Sequence, residues 1–159
     1  MKVLSIDPGY DRLGIAVMEA TDGKDLVIYS NCITTDKTVS FPERIQELGN
    51  KFVDILNIHS PNAVALETLF FNKNIKTAIQ VAQARGALLY LAKQHHCRVF
   101  EFGPQEIKIA VTGYGNSDKK AVTNFLQNIV DNLPTNGYDD EYDAIAVGVT
   151  YLAHYRRFV

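Results

Sequence analysis

The chain is short of cysteine, short of long apolar runs and short of any excess of one charge, and each shortage removes a class of protein. Cys32 and Cys97 stand in unrelated apolar contexts without metal-ligand spacing. The expectation is therefore two buried or partly buried thiols in a reducing compartment, not a disulfide framework or a zinc site. No stretch is long enough to span a bilayer, and Asp7 breaks the first apolar run, Val3 to Ile6, too early for a secretion signal. A cytoplasmic protein without membrane contact is expected. With 16 basic and 18 acidic residues the formal net charge is −2, so nothing global announces a polyanionic partner and local charge must decide. Repeats, linkers and low-complexity stretches are missing too. Together with 47% apolar residues in a length of 159, this argues for a single domain, residues 1–159.

Short β-prone runs open the chain. Val3 to Ile6, Leu13 to Met18 and Leu26 to Ile33 are separated by Pro8-Gly9 and by Thr21-Asp22-Gly23-Lys24, intervals too short for a crossover helix, so an antiparallel meander is expected. Ser40 starts a helix with Glu43 completing a capping box, and Phe41, Ile45, Leu48, Phe52 and Ile55 form its apolar stripe. Ala63 to Glu67 then reads as a buried strand, Ile75 to Lys93 as a long helix and Arg98 to Phe102 as another strand. Two further helices are predicted, one from about Ser117 to Leu133 and one from about Asp139 towards Tyr155. This order predicts an α/β fold: a mixed five-stranded sheet, antiparallel meander first and parallel strands after, with helices on both faces. The first and fourth strands should be neighbours, because the meander leaves one edge of strand one free for the strand delivered by a right-handed crossover.

That topology gathers acids distant in sequence. Asp7 and Glu67 end neighbouring strands, while Asp140 and Asp143 are three apart, on one face of the first turn of the last helix, where the helix dipole tolerates negative charge. Each has an ordinary reading: Asp7 as a turn residue before Pro8-Gly9, and Asp139, Asp140 and Glu141 as N-terminal helix charges. Glu67 resists one, because an acid ending a buried strand without a nearby cationic partner in sequence is costly unless something binds it. Carboxylates gathered without compensating side-chain cations raise one another's pKa, so the four together suggest bound divalent metal and phosphodiester chemistry.

Ile6-Asp7-Pro8-Gly9, Ala65-Leu66-Glu67, Gln83-Ala84-Arg85-Gly86 and Asp140-Glu141-Tyr142-Asp143-Ala144-Ile145-Ala146 resemble, in order and separation, the RuvC family of Holliday junction resolvases. The resemblance covers nearly the whole chain. It implies a ribonuclease-H-like fold, a homodimer, and a nuclease that makes paired symmetric nicks in four-way junction DNA with two Mg2+ ions per site, or Mn2+, in recombination and repair. A branch-migration helicase is a further implied partner. By position Asp7, Glu67, Asp140 and Asp143 match the family's catalytic, metal-holding acids, with the bridging role expected of Asp7. Phe70 matches an aromatic residue that meets unpaired bases, and Lys108 and Lys119 match basic residues near the DNA backbone. The run Asp139-Asp140-Glu141 leaves open which acid nearest the helix start holds metal.

Lys73, Lys76, Lys108, Lys119 and Lys120 could contact phosphates around one mouth, with Arg156-Arg157 adding to them, although any single lysine is ordinarily a solvated helix residue. Phe70-Phe71 divides in expectation into a base-stacking Phe70 and a packed Phe71. On the helix from Ile75 to Lys93, the small residues Ala78, Ala82 and Gly86 beside Ile79 and Leu89 suit a dimer interface or packing on the sheet equally well. Competing readings are a nuclease of the same fold acting on RNA or pre-rRNA, a catalytically inactive junction-binding protein, and an actin-like kinase. The last needs two copies of the core, and the chain has room for one.

Overall fold

Period-two alternation sorts the strand residues between two faces of a sheet, and that sorting decides where the acids go. The computed structural model describes residues 1–9, 11–69 and 75–156, without the side chains of Ile75, Lys76 and Arg156. Strands β1 (Lys2–Asp7), β2 (Arg12–Glu19) and β3 (Asp25–Thr34) form the antiparallel meander. Helix α1 (Phe41–His59) crosses to β4 (Ala63–Glu67), which runs parallel to β1 on its free edge, as the crossover argument requires. Helix α2 (Ile75–Gln94) leads to β5 (Arg98–Phe102), parallel to β4. Helices α3 (Pro104–Thr112) and α4 (Lys119–Ile129), strand β6 (Val130–Asp131) and helix α5 (Asp139–Arg156) follow.

The mixed sheet with helices on both faces is as expected, but it has six strands among the described residues, in the order β5-β4-β1-β2-β3-β6, where five were expected. The sixth is made from chain assigned to a helix. Helix α4 stops at Ile129 because Val130 turns into the sheet beside Asp25, its side chain buried, and Asn132 takes a left-handed φ of 59°. Helix α3 was also not expected, yet its signals are in the sequence. Pro104 opens it, the Glu106 carboxylate accepts a hydrogen bond from the Gly103 N–H at 3.2 Å, and Gly113 closes it with a φ of 78°.

Two apolar layers result. Leu4, Ile6, Leu13, Ile15 and Val17 point to one face and pack with Leu48 and Phe52 of α1 and Leu88 and Ala92 of α2. The predicted capping box is formed in part by the Ser40 N–H donating to Glu43 at 2.8 Å, and of the predicted stripe Leu48, Phe52 and Ile55 are buried while Phe41 and Ile45 are half-buried. Val3, Ala16, Met18, Ala63 and Ala65 point to the other face, against α5. Every residue of α5 from Ala144 to Leu152 is buried, since α3 and α4 cover its far side with Ile107, Val111, Val122 and Leu126. A helix so enclosed has to be apolar all round. Each large side chain buried here contributes about 1.5–3 kcal/mol.

Helix α5 approaches the sheet at backbone distance. A Cβ on Gly148 would lie 2.4 Å from the Met18 sulfur, and one on Gly14 would lie 1.8 Å from the backbone oxygen of Asp140. The second obstacle is main chain and cannot swing aside. Gly14→Ala is expected to lower stability by about 1–3 kcal/mol or more, as overpacking does, read as a drop in melting temperature. An unchanged melting temperature would mean that α5 does not bear on β2 at this point.

Candidate active site

Asp7 follows Val3 and Ser5 on the α5 face of β1, and Glu67 follows Ala63 and Ala65 on the same face of β4. The parallel register pairing Ile6 with Leu66 continues to Asp7 beside Glu67, at the carboxyl ends of adjacent strands. On its other side Asp7 pairs with Gly14, the residue on which the Asp140 backbone rests. The first turn of α5 is thereby delivered to Asp7.

Electrostatics report the convergence. Burial first, then Asp143, Glu67 and Asp140, push the Asp7 carboxyl up to about 7. Burial and then Asp143 raise Glu67, whereas Lys108 and Lys119 oppose the rise. Asp143 is raised too, by burial above all, although Lys119 draws it down. The three acids opening α5 have separate surroundings. Asp139 is exposed; Glu141 is buried and accepts a hydrogen bond from the Ser30 hydroxyl on β3 at 2.5 Å; Asp140 and Asp143 are the two that act on Asp7.

One expectation is corrected. The acids are not without compensating side-chain cations: Lys119 Nζ lies 2.8 Å from Asp143 and 3.5 Å from Asp139, and Arg12 Nε lies 3.2 Å from Asp140. Arg12 was not singled out in the sequence, because its partner is brought to it only by the packing of α5 on β2. Cys32 also faces this point, its thiol 3.8 Å from Asp140 and pushed up to about 11 by burial and then by that carboxylate. Both cysteines are free and buried.

Among the predicted basic residues, Lys108 and Lys119 line one pocket of ≈ 220 Å³ together with Glu67 and Asp143. Lys120 is exposed in the first turn of α4. Phe70, Phe71, Lys73, Arg157 and the side chains of Lys76 and Arg156 lie outside the described residues. On α2, Ala78, Ala82 and Leu89 are half-buried and Ile79 and Gly86 exposed. No three histidines, cysteines or carboxylates among the described residues stand close enough to make a finished ion cage. The donor chemistry nonetheless fits a divalent metal. The acids are hard oxygen donors, and the one at their centre has its pKa raised by burial first and then by neighbouring carboxylates whose repulsion a dication would relieve.

The family model for crossover junction endodeoxyribonuclease RuvC matches residues 3–151. The chain belongs to the RuvC family. A RuvC of Thermosipho melanesiensis is 43% identical over 92% of this chain and 94% of its own, and one from Halothermothrix orenii is 35% identical over 98% and 94%. The solved Thermus thermophilus RuvC in complex with a Holliday junction substrate superposes with a TM-score of 0.92 at 27% identity, covering 99% of this chain and 96% of that one. The yeast mitochondrial resolvase Ydc2, at 15% identity and a TM-score of 0.71, shares the fold. The family resemblance and the ribonuclease-H-like architecture read from the sequence are thus both found.

The crowding has a stability consequence. Between pH 3.8, the ordinary value for aspartate, and about 7 the folded protein holds a proton on Asp7 that the unfolded chain releases, so stability falls as pH rises through that window. Glu67 and Asp143 shift in the same sense. In chelator, Asp7→Asn is expected to flatten this decline and to be more stable than the parent at pH 8, by on the order of a few kcal/mol. Melting curves from pH 4 to pH 8 check it; an asparagine variant that keeps the parent's slope would refute the raised pKa of Asp7.

Proposed function

We propose that this chain resolves four-way DNA junctions in recombination and repair, as a structure-selective endonuclease that makes paired symmetric nicks. The observation that carries the reading is the convergence on Asp7 of Glu67, Asp140 and Asp143 in a chain of the RuvC family. Support for the substrate comes from the Thermus relative, whose structure holds a Holliday junction.

Asp7, Glu67, Asp140 and Asp143 would hold two divalent ions, magnesium or manganese. Metal held by these residues would supply Lewis acidity and an activated water for phosphodiester hydrolysis, whose products would carry 5′-phosphate and 3′-hydroxyl ends. The protein's part is positional. Strand ends and a helix start fix the carboxylates on rigid elements, so little reorganisation is needed when charge builds on the phosphate. Lys108 and Lys119 stand beside Glu67 and Asp143, where they can draw a phosphate towards oxygens that would otherwise repel it. By sequence position alone, Lys120, Lys73 and Lys76 would add contacts to the DNA backbone and Phe70 would meet the unpaired bases at the junction centre.

A four-way junction has two-fold symmetry, so a homodimer puts one acidic site on each of two equivalent strands. The outer face of α2 supports this: Ile79 is 54% exposed and Tyr90 63%, beside a Gly86 with nothing within 4 Å of its would-be Cβ. A branch-migration helicase as partner and a cytoplasmic setting complete the reading; among the described residues no helix is long and apolar enough to cross a membrane.

With Mg2+ and a synthetic mobile junction, the protein is expected to make two symmetric nicks, and Asp7→Asn to bind the junction but cut it at least 100-fold more slowly, about the loss expected when an essential group goes. Linear duplex and structured RNA run in parallel. Faster cutting of RNA than of the junction, or an Asp7→Asn protein as active as the parent, would overturn the assignment.

A further inference from the structure

The acids have two flanks along the sheet edge. Towards β4 lies the pocket of Lys108 and Lys119. Towards β3 lies a second hollow of ≈ 470 Å³, lined among others by Gly9, Arg12, Thr34, Lys37, Thr77 and Asp140. Asp140 borders this hollow and is also one of the acids that raise Asp7, so the hollow adjoins the acidic site through that residue.

Arg12 stands to Asp140 much as Lys119 stands to Asp143. Each is paired with a carboxylate, at 3.2 Å and 2.8 Å, and each keeps 52% of its side chain exposed. The atom of Arg12 that faces Asp140 is Nε, and a guanidinium carries further N–H donors in a fork suited to a phosphate. Lys37 is 73% exposed and lies 3.1 Å from Asp11, whose carboxyl is held below the usual range by Arg44 first and also by Lys37. Thr34 and Thr77 add exposed hydroxyl groups. The negative charges of the hollow, Asp11 and Asp140, are therefore both engaged by cations.

We propose that this hollow is a second backbone subsite, in which Arg12 and Lys37 hold a phosphate of the cut strand next to the one at the acids. The inference rests on the junction-cleaving reading. A strand laid across the carboxylates must carry neighbouring phosphates to both flanks, and each is repelled by the acids unless a cation offsets them. On the β4 flank Lys108 and Lys119 do this; on the β3 flank Arg12 and Lys37 are placed to do it.

Counterion release makes the claim measurable, since each phosphate contact contributes about one to the slope of log affinity against log salt. Junction binding is measured in chelator from 50 to 300 mM salt for the parent, Arg12→Ala, Arg12→Lys and Lys37→Ala, with melting curves for each. The expected result is weaker binding and a slope smaller by about one in each alanine variant, with the slope restored in Arg12→Lys. A merely structural role for Arg12 as the partner of Asp140 would leave the slope where it was. If Arg12→Ala fails to fold, Lys37→Ala decides, because that side chain is largely exposed. Folded alanine variants with the parent's affinity and slope overturn the subsite. If the parent protein itself cuts no junction in Mg2+, the junction reading falls and the subsite with it; if it cuts while the slopes stay equal, the subsite alone falls.

Discussion

The backbone contact between Gly14 and Asp140 is the constraint from which the candidate site follows. Two acids on adjacent strands are fixed by register, and a strand end offers them no freedom to separate. The other two ride on a helix that could in principle lie anywhere over the sheet. It lies where it does because glycine at 14 and glycine at 148 remove the side chains that would hold it off, and because α3 and α4 press on its far side. Close approach excludes water, and exclusion of water is the largest reason that Asp7, Glu67 and Asp143 resist ionisation. The fold therefore puts its packing energy into holding like charges together, a strained arrangement of the kind functional sites carry and cores do not.

Charge compensation gives the arrangement a direction. A nearly neutral chain has no general attraction for a polyanion, and its acids add a local repulsion. Lys119 pairs with Asp143 and Arg12 with Asp140, so part of that repulsion is offset by half-exposed cations at the start of α5. Cations half exposed can exchange a carboxylate for a phosphate with little change in their own hydration. Carboxylates released in that exchange are the donors a divalent ion requires, so binding of substrate and of metal would favour one another through the same side chains.

How much of this was legible in the sequence depends on the range of the interaction concerned. Parity along Val3-Leu4-Ser5-Ile6-Asp7 and Ala63-Val64-Ala65-Leu66-Glu67 is local, and together with right-handed crossover it was enough to place Asp7 beside Glu67. Spacing within Asp140-Glu141-Tyr142-Asp143 fixed a shared face, but not which way that face looks; that follows from the packing of α5 at Gly14 and Gly148, and the Ser30 hydroxyl on Glu141 accompanies it without any signal near Glu141 in the chain. Helix α3 was legible and was missed, since Pro104, Glu106 and Gly113 are ordinary start and stop signals in a segment otherwise noticed for one lysine. Strand β6 was not, because two residues carry no period and only the exposed edge of β3 gives Val130 a reason to leave the helix.

Arg12 shows why pairing across a fold escapes a linear reading even when both partners are conspicuous. It opens strand β2, five residues after Asp7, yet in sequence its nearest acid is Asp11. That acid is taken by Arg44 from α1 and by Lys37. With its sequence neighbour engaged elsewhere, Arg12 reaches Asp140, whose presence depends on how closely α5 can settle on Gly14. A carboxylate's partner is thus chosen by competition among cations delivered by separate elements, and the outcome is set by packing before it is set by charge.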